Sequence, residues 1–154
     1  MTTPAERLAG LGLALPPVAA PVAAYVPAVR SGDFVYTSGQ LPTVDGKLPA
    51  VGKVGGEVSA TDAAGLARTC ALNALAAAAS AAGGLDQIRR IVKVTGFVAS
   101  APGFSGQPQV INGASELFIE VFGEDGKHAR SAVGVAELPL NAPVEVELIA
   151  EVHG

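Results

Sequence analysis

The plainest pattern in the chain lies near its C-terminal end, where Val144, Val146, Leu148, Ala150 and Val152 alternate with Glu145, Glu147, Ile149 and Glu151. A period of two sends successive side chains to opposite faces, so this segment predicts a strand with its apolar side under helices and its acids on the other side. Phe34-Val35-Tyr36-Thr37-Ser38, β-branched and aromatic, predicts a strand ended by Gly39, and Ile88 to Ala99 predicts another. A further strand is expected at about Arg130 to Glu137, separated from the last by Leu138-Pro139-Leu140-Asn141-Ala142-Pro143. Elsewhere the spacing is helical. Ser59-Ala60-Thr61-Asp62 is a capping signature, and Leu66, Cys70, Asn73 and Ala77 then fall near one face of a helix running to about Ala82 and stopping at Gly83-Gly84. Val110, Ala114, Leu117, Phe118 and Val121 predict a second main helix over Pro108 to Phe122, with Gly123 and Gly126 around the turn after it.

The beginning of the chain is broken up. Thr3-Pro4-Ala5-Glu6 combines a capping residue, a proline at the first helical position and an acid three residues past the cap, which predicts a short helix ending near Gly10 or Gly12. Pro16, Pro17, Pro21 and Pro27 then favour an extended lead-in around Tyr25. Asp45-Gly46 predicts a turn, and Gly52, Gly55 and Gly56 an irregular stretch. The sum is an α+β domain with a mixed β-sheet and two main helices packed on one face. The other face, with acids and small side chains, then needs its own explanation.

Composition adds constraints. At 154 residues the chain is the size of one domain, and 49% apolar against 16% charged residues suits a folded chain with apolar surface to spare for a subunit interface. A net charge of -4 with ten Lys and Arg argues against a nucleic-acid partner, and Arg89, Arg90 and Lys93 read as a solvated edge. Cys70 is the only cysteine, which excludes an intrachain disulfide and a Cys-rich zinc site, and its helical position reads as a small buried residue. His128 and His153 form no HExxH pattern, and His128 falls in a polar turn expected to be exposed. No metal site is expected from these residues. No stretch reaches the roughly 20 apolar residues that span a bilayer, and the N-terminus lacks the pattern of a secretory signal, so no membrane partner is expected and the default location is cytoplasmic.

Arg130 opens a predicted strand whose same-face neighbours are Ala132, Gly134 and Ala136, small residues that leave room for a ligand or another subunit. Its guanidinium offers a planar fork for a carboxylate, in a ligand or in an interface salt bridge. Glu145 lies on the polar face of the last strand, expected next to that of Arg130, where it can orient water, exchange a proton, pair with Arg130 or simply face solvent. Ser38 and Gly39 end a strand where a hydroxyl and backbone groups can converge on a ligand, without the GxSxG elbow of a serine nucleophile. Tyr25 can close a pocket or anchor the lead-in, and Asn112 can cap its helix or line a pocket.

Taken together, Tyr25, Phe34 to Pro42 with its Ser-Gly-Gln-Leu-Pro, Ala129-Arg130-Ser131-Ala132-Val133, Leu138-Pro139 and Val144-Glu145-Val146-Glu147 resemble the successive signatures of the RidA family, also called YjgF/YER057c/UK114. The resemblance runs from Tyr25 to Val152. It implies a chorismate-mutase-like fold in a homotrimer, with sites in clefts between subunits that hydrolyse reactive 2-imino or enamine acids to 2-oxo acids and ammonia. It makes Arg130 the holder of the substrate carboxylate and Glu145 the acid associated with the catalytic water, with Tyr25, Ser38, Gly39 and Asn112 at pocket positions. Residues 1–24 become an N-terminal extension with a short helix, and 25–154 the RidA-like domain. The chain departs from typical members at Ala132, where many have cysteine, in its longer N-terminal extension and in the Pro- and Gly-containing loop from Ala101 to Gln109, so it looks like a divergent subgroup. A non-catalytic carboxylate-binding or regulatory trimer is the alternative. The endoribonuclease label carried by some members finds no basic track or acid-base histidine pair here.

Overall fold

The computed structural model describes residues 2–20 and 24–154. Pro21 of the expected lead-in lies outside them. Helix α1 (Pro4–Gly10) starts where Thr3 accepts a hydrogen bond from the Glu6 amide, and its Leu8 is 3% exposed in the core. Strands β1 (Ala28–Ser31) and β2 (Phe34–Thr37) form an antiparallel hairpin. Helix α2 (Ala60–Ala82) is capped by the Ser59 side chain and ends at Gly83 in the left-handed conformation. Strand β3 (Ile88–Ala99), helix α3 (Gln107–Phe122), strand β4 (Ala129–Val135) and strand β5 (Val144–Val152) complete the chain.

The sheet has five strands in the order β1-β2-β5-β3-β4. Only β3 and β4 are parallel; α3 carries the chain between them, as a crossover connection requires. β5 runs antiparallel to both of its neighbours, β2 and β3. Its alternation survives intact: Val144, Val146, Leu148, Ala150 and Val152 are all buried. They meet Cys70, Ala71, Ala74 and Leu75 of α2, while Ile111, Leu117 and Phe118 of α3 fill the same core. Small residues let the helices come close. A Cβ at Gly113 of α3 would collide with the Ala64 backbone of α2, and one at Gly96 of β3 with the Ile111 side chain.

Two sequence expectations change. The extended lead-in carries a strand the sequence did not place, the hairpin partner β1; it arises because Gly32, at φ 61°, turns the chain so that Ser31 faces Phe34. The strands carrying Arg130 and Glu145, expected side by side, are separated by β3. The uncovered sheet face is more apolar than its acids suggest. Val29, Tyr36 and Val133 stand on it 52%, 46% and 43% exposed, beside Phe34.

Candidate active site

The candidate residues fall into two groups. The first gathers where β2 ends. The Ser38 amide donates to the Pro27 carbonyl at 2.8 Å, and the Ser38 hydroxyl donates to the Val26 carbonyl at 2.6 Å. Ser38 thereby fastens the segment carrying Tyr25 to the strand end, and its hydroxyl proton is already committed. A Cβ at Gly39 would lie 2.7 Å from Cδ of Glu145, so the glycine leaves the carboxylate room against the backbone. Asn73 of α2 donates through Nδ2 to the Leu41 and Thr43 carbonyls at 2.9 and 3.0 Å, holding the next loop over the same place. Together these elements enclose a cavity of about 680 Å³ lined by Tyr25, Gly39, Glu145, Asn73 and residues 16–20. Burial raises the Glu145 carboxyl above its usual range, and the Glu147 charge adds to the effect. The same burial, with the Glu145 charge, pushes the Cys70 thiol well up, as suits an inert core residue.

The second group surrounds Arg130. Its Nη1 donates to Asn112 Oδ1 at 2.7 Å and to Ser115 Oγ at 3.2 Å; its Nη2 donates to the Pro108 carbonyl at 3.4 Å. All three acceptors are neutral. Among the described residues no carboxylate pairs with Arg130, and two of the five N–H groups of its guanidinium have no partner among them. A positive charge oriented by neutral oxygens is a site for an anion. Asn112 is in the body of α3, not at its cap, and Ser115 is one turn further along the same face.

His128 corrects another expectation: it is half-buried rather than exposed. The Gly126 carbonyl can only accept, so Nδ1–H donates to it at 2.6 Å. In the neutral ring Nε2 then accepts from the Ser115 hydroxyl at 2.8 Å. That fixes the hydroxyl rotor and turns the Ser115 lone pairs to Arg130. Burial lowers the His128 pKa, the Gly126 bond opposes the shift and the Arg130 charge adds to it. The edge of the contact is closed by Phe118, 5.8 Å away and at 84° to the imidazole. Sequence reasoning missed this Ser115–His128 relay; the three-residue spacing from Asn112 to Ser115 was its only signal.

Within one chain the two groups do not meet. Val94 is paired with both Arg130 and Leu148, and Phe97 with both Glu145 and Val133. Arg130 therefore lies two strands across and three residues along from Glu145, roughly 14 Å by strand geometry, and on the opposite face of the sheet. No intrachain pair forms between them. Among the described residues no group of three or more His, Cys, Asp or Glu could hold a metal ion, and no helix is long and apolar enough to cross a membrane.

A mixed sheet with helices on one face, a crossover between its two parallel strands and a cavity at the end of its hairpin defines an α+β protein of chorismate-mutase-like type. The family described as "YjgF/chorismate_mutase-like, putative endoribonuclease" matches residues 5–152, and the chain belongs to this YjgF/RidA family. Protein TCP17 of Trypanosoma cruzi is 45% identical over 150 residues, covering 97% of this chain and 94% of that protein. The crystal structure of a protein of unknown function from Agrobacterium tumefaciens has a TM-score of 0.90 at 48% identity, covering 97% of this chain and 92% of that one. TdcF of E. coli, crystallised with bound serine, has a TM-score of 0.62 at 30% identity, covering 89% of this chain and 94% of that one.

Proposed function

We propose that this protein is a hydrolytic deaminase of reactive 2-imino and enamine acids, acting as a homotrimer whose sites join Arg130 of one subunit to Glu145 of the next. One observation carries the reading. Arg130 is oriented by neutral oxygens with donors to spare, whereas the acid needed beside it lies two strands away on the other face of the sheet, bordering a separate cavity at the end of β2. A second subunit applied to the open face supplies the missing half, and the exposed Val29, Tyr36 and Val133 give that contact its apolar area. A relative crystallised with serine supports an amino-acid-sized ligand bearing a carboxylate.

The chemistry asks little of the protein. The carbon of R–C(=NH2+)–COO⁻ is already electrophilic, so neither metal nor organic cofactor is required. Arg130 grips the carboxylate and fixes that carbon. Glu145 accepts a proton from a water molecule as its oxygen bonds to the carbon, and the C=N π pair moves to nitrogen. The proton then passes from Glu145 to nitrogen, the C–N bond breaks with its electron pair leaving on ammonia, and the hydroxyl gives up its proton through Glu145 to the ammonia as the carbonyl forms. A carboxyl group raised towards neutrality is suited to taking and returning that proton. The overall change is imino acid plus water to 2-oxo acid plus ammonium.

The nuclease label in the family description finds no support in this site. Both ring nitrogens of His128 are engaged, and His153 lies next to the last residue. The division into an extension over 1–24 and a RidA-like domain over 25–154 belongs to the same proposal, with Leu8 tying the extension to the core. So does a cytoplasmic location, which a lone buried thiol supports.

The test is ammonia release from freshly generated 2-iminopropanoate. Arg130→Ala is expected to lower kcat/KM at least about 100-fold with the assembly intact, the loss of a charge-assisted carboxylate grip. Unchanged turnover sinks the assignment. Binding of 2-oxo acids by wild type without any turnover favours a carboxylate-binding trimer instead.

A further inference from the structure

The cavity beside Glu145 is far larger than a three-carbon acid needs. At about 680 Å³ it lies within the range that holds drug-sized ligands. Its walls combine apolar side chains with the polar Gln40, Thr43, Thr69 and Asn73. Pro16, Pro17 and Val18 form one side, and Leu72 of α2 with Leu140 from the turn before β5 lines it as well. The two prolines fix φ in consecutive residues, which narrows the conformations open to this wall. Its only ionisable side chains besides Tyr25 are Asp45 and Glu145, both acids. Among the described residues no cation lines it to meet a second carboxylate.

Resting on the deaminase reading, we infer that this cavity receives the substrate's side chain, and that residues 16–18 select 2-imino acids with a branched or extended apolar chain over three-carbon and dicarboxylic ones. With the carboxylate on the neighbouring subunit's Arg130 and the imine carbon at Glu145, the chain beyond that carbon points into the apolar space. A methyl group leaves the space mostly unused, and a second carboxylate meets two acids. Burying one methylene is worth about 0.8 kcal/mol, or roughly fourfold in kcat/KM, so a leucine-type chain gains at least about tenfold over a methyl group.

The experiment compares 2-imino-4-methylpentanoate, 2-iminopropanoate and 2-iminopentanedioate as substrates, and measures by calorimetry the Kd values of the corresponding 2-oxo acids. Both sets are run on wild type and Val18→Asp, with sedimentation recorded alongside; Val18 is 40% exposed, so the change spares the core. The expected result is a preference of at least about tenfold for the branched chain in both turnover and binding, reduced severalfold by Val18→Asp with sedimentation unchanged. Equal affinity for the three oxo acids overturns the inference. So does a Val18→Asp variant that keeps the wild-type preference, including one whose sedimentation changes, since the segment would then be seating against a subunit. An oxo-acid preference that falls in Val18→Asp while no imine is turned over upholds the selectivity and removes the deaminase reading.

Discussion

The proposed role of Arg130 rests on what holds it. Asn112 and Ser115 take up one end of the guanidinium, and His128 sets the Ser115 hydroxyl from behind. Ser115→Ala deletes one acceptor and frees the Arg130 side chain. We expect KM to rise about tenfold with kcat changed less than about threefold, since binding rather than proton transfer is disturbed; steady-state kinetics on one substrate decides it. His128 adds a pH signature. Its folded-state pKa lies below the unfolded value, so unfolded chains bind the extra proton more readily. The stabilisation is complete above the ordinary imidazole range of about 6.5 and is lost as pH falls towards the lowered value. The groups facing the ring are Ser115 and Phe118 from α3, the Gly126 carbonyl and the Arg130 charge. An NMR titration should place the His128 midpoint below about 6.5, and His128→Gln should lose less stability than wild type between pH 7 and that midpoint. A midpoint above that range contradicts the neutral relay.

At the scale of elements, the bounds of α2, β3 and β5 follow from local chemistry: a serine cap and a glycine stop, a β-branched run, a period of two. Such signals act within a few residues and are legible. Strand order is not local. Consecutive strands are usually neighbours, which made Arg130 and Glu145 look adjacent, but the α3 crossover lays β4 parallel to β3 and leaves β3 beside β5. Alternation correctly reported that Glu145 faces away from the helices; it carried no information about which strand lies alongside. β1 escaped notice because its four residues follow Pro27 and bury nothing fully by themselves. His128 was misjudged because its neighbours in sequence are polar, whereas its neighbours in space are Phe118 and α3.

The crossing of α2 and α3 decides whether α3 presents Asn112 and Ser115 to Arg130. A side chain at Gly113 would strike the Ala64 backbone, which cannot swing aside. Gly113→Ala should therefore destabilise by about 1–3 kcal/mol despite alanine's better helix propensity, read as a lower urea midpoint. Gly65→Ala is the control: it sits in α2 with nothing within 4 Å of an added Cβ. The same gain in propensity without a clash should stabilise by up to about 1 kcal/mol, read as a higher urea midpoint. Equal effects at the two positions would mean that close helix packing does not govern the crossing.

For the whole molecule, the structure holds two separate groups of polar side chains joined by one sheet, which the proposed function reads as two halves of a site. The Arg130 group lies on the helix side of the edge strand β4, and the Glu145 cavity lies at the other end of the hairpin's neighbour β5. An exposed apolar sheet face offers the means of bringing the halves together from different subunits. That account makes a demand no single-chain site can meet. Arg130→Ala and Glu145→Gln, each inactive as a pure protein, are unfolded together in equal amounts, refolded into mixed trimers and assayed for imine hydrolysis. If each site takes Arg130 from one subunit and Glu145 from the next, half the arginines and half the glutamates are intact independently, and about one quarter of wild-type activity returns. Mixed trimers as inactive as their parents would contradict the shared site.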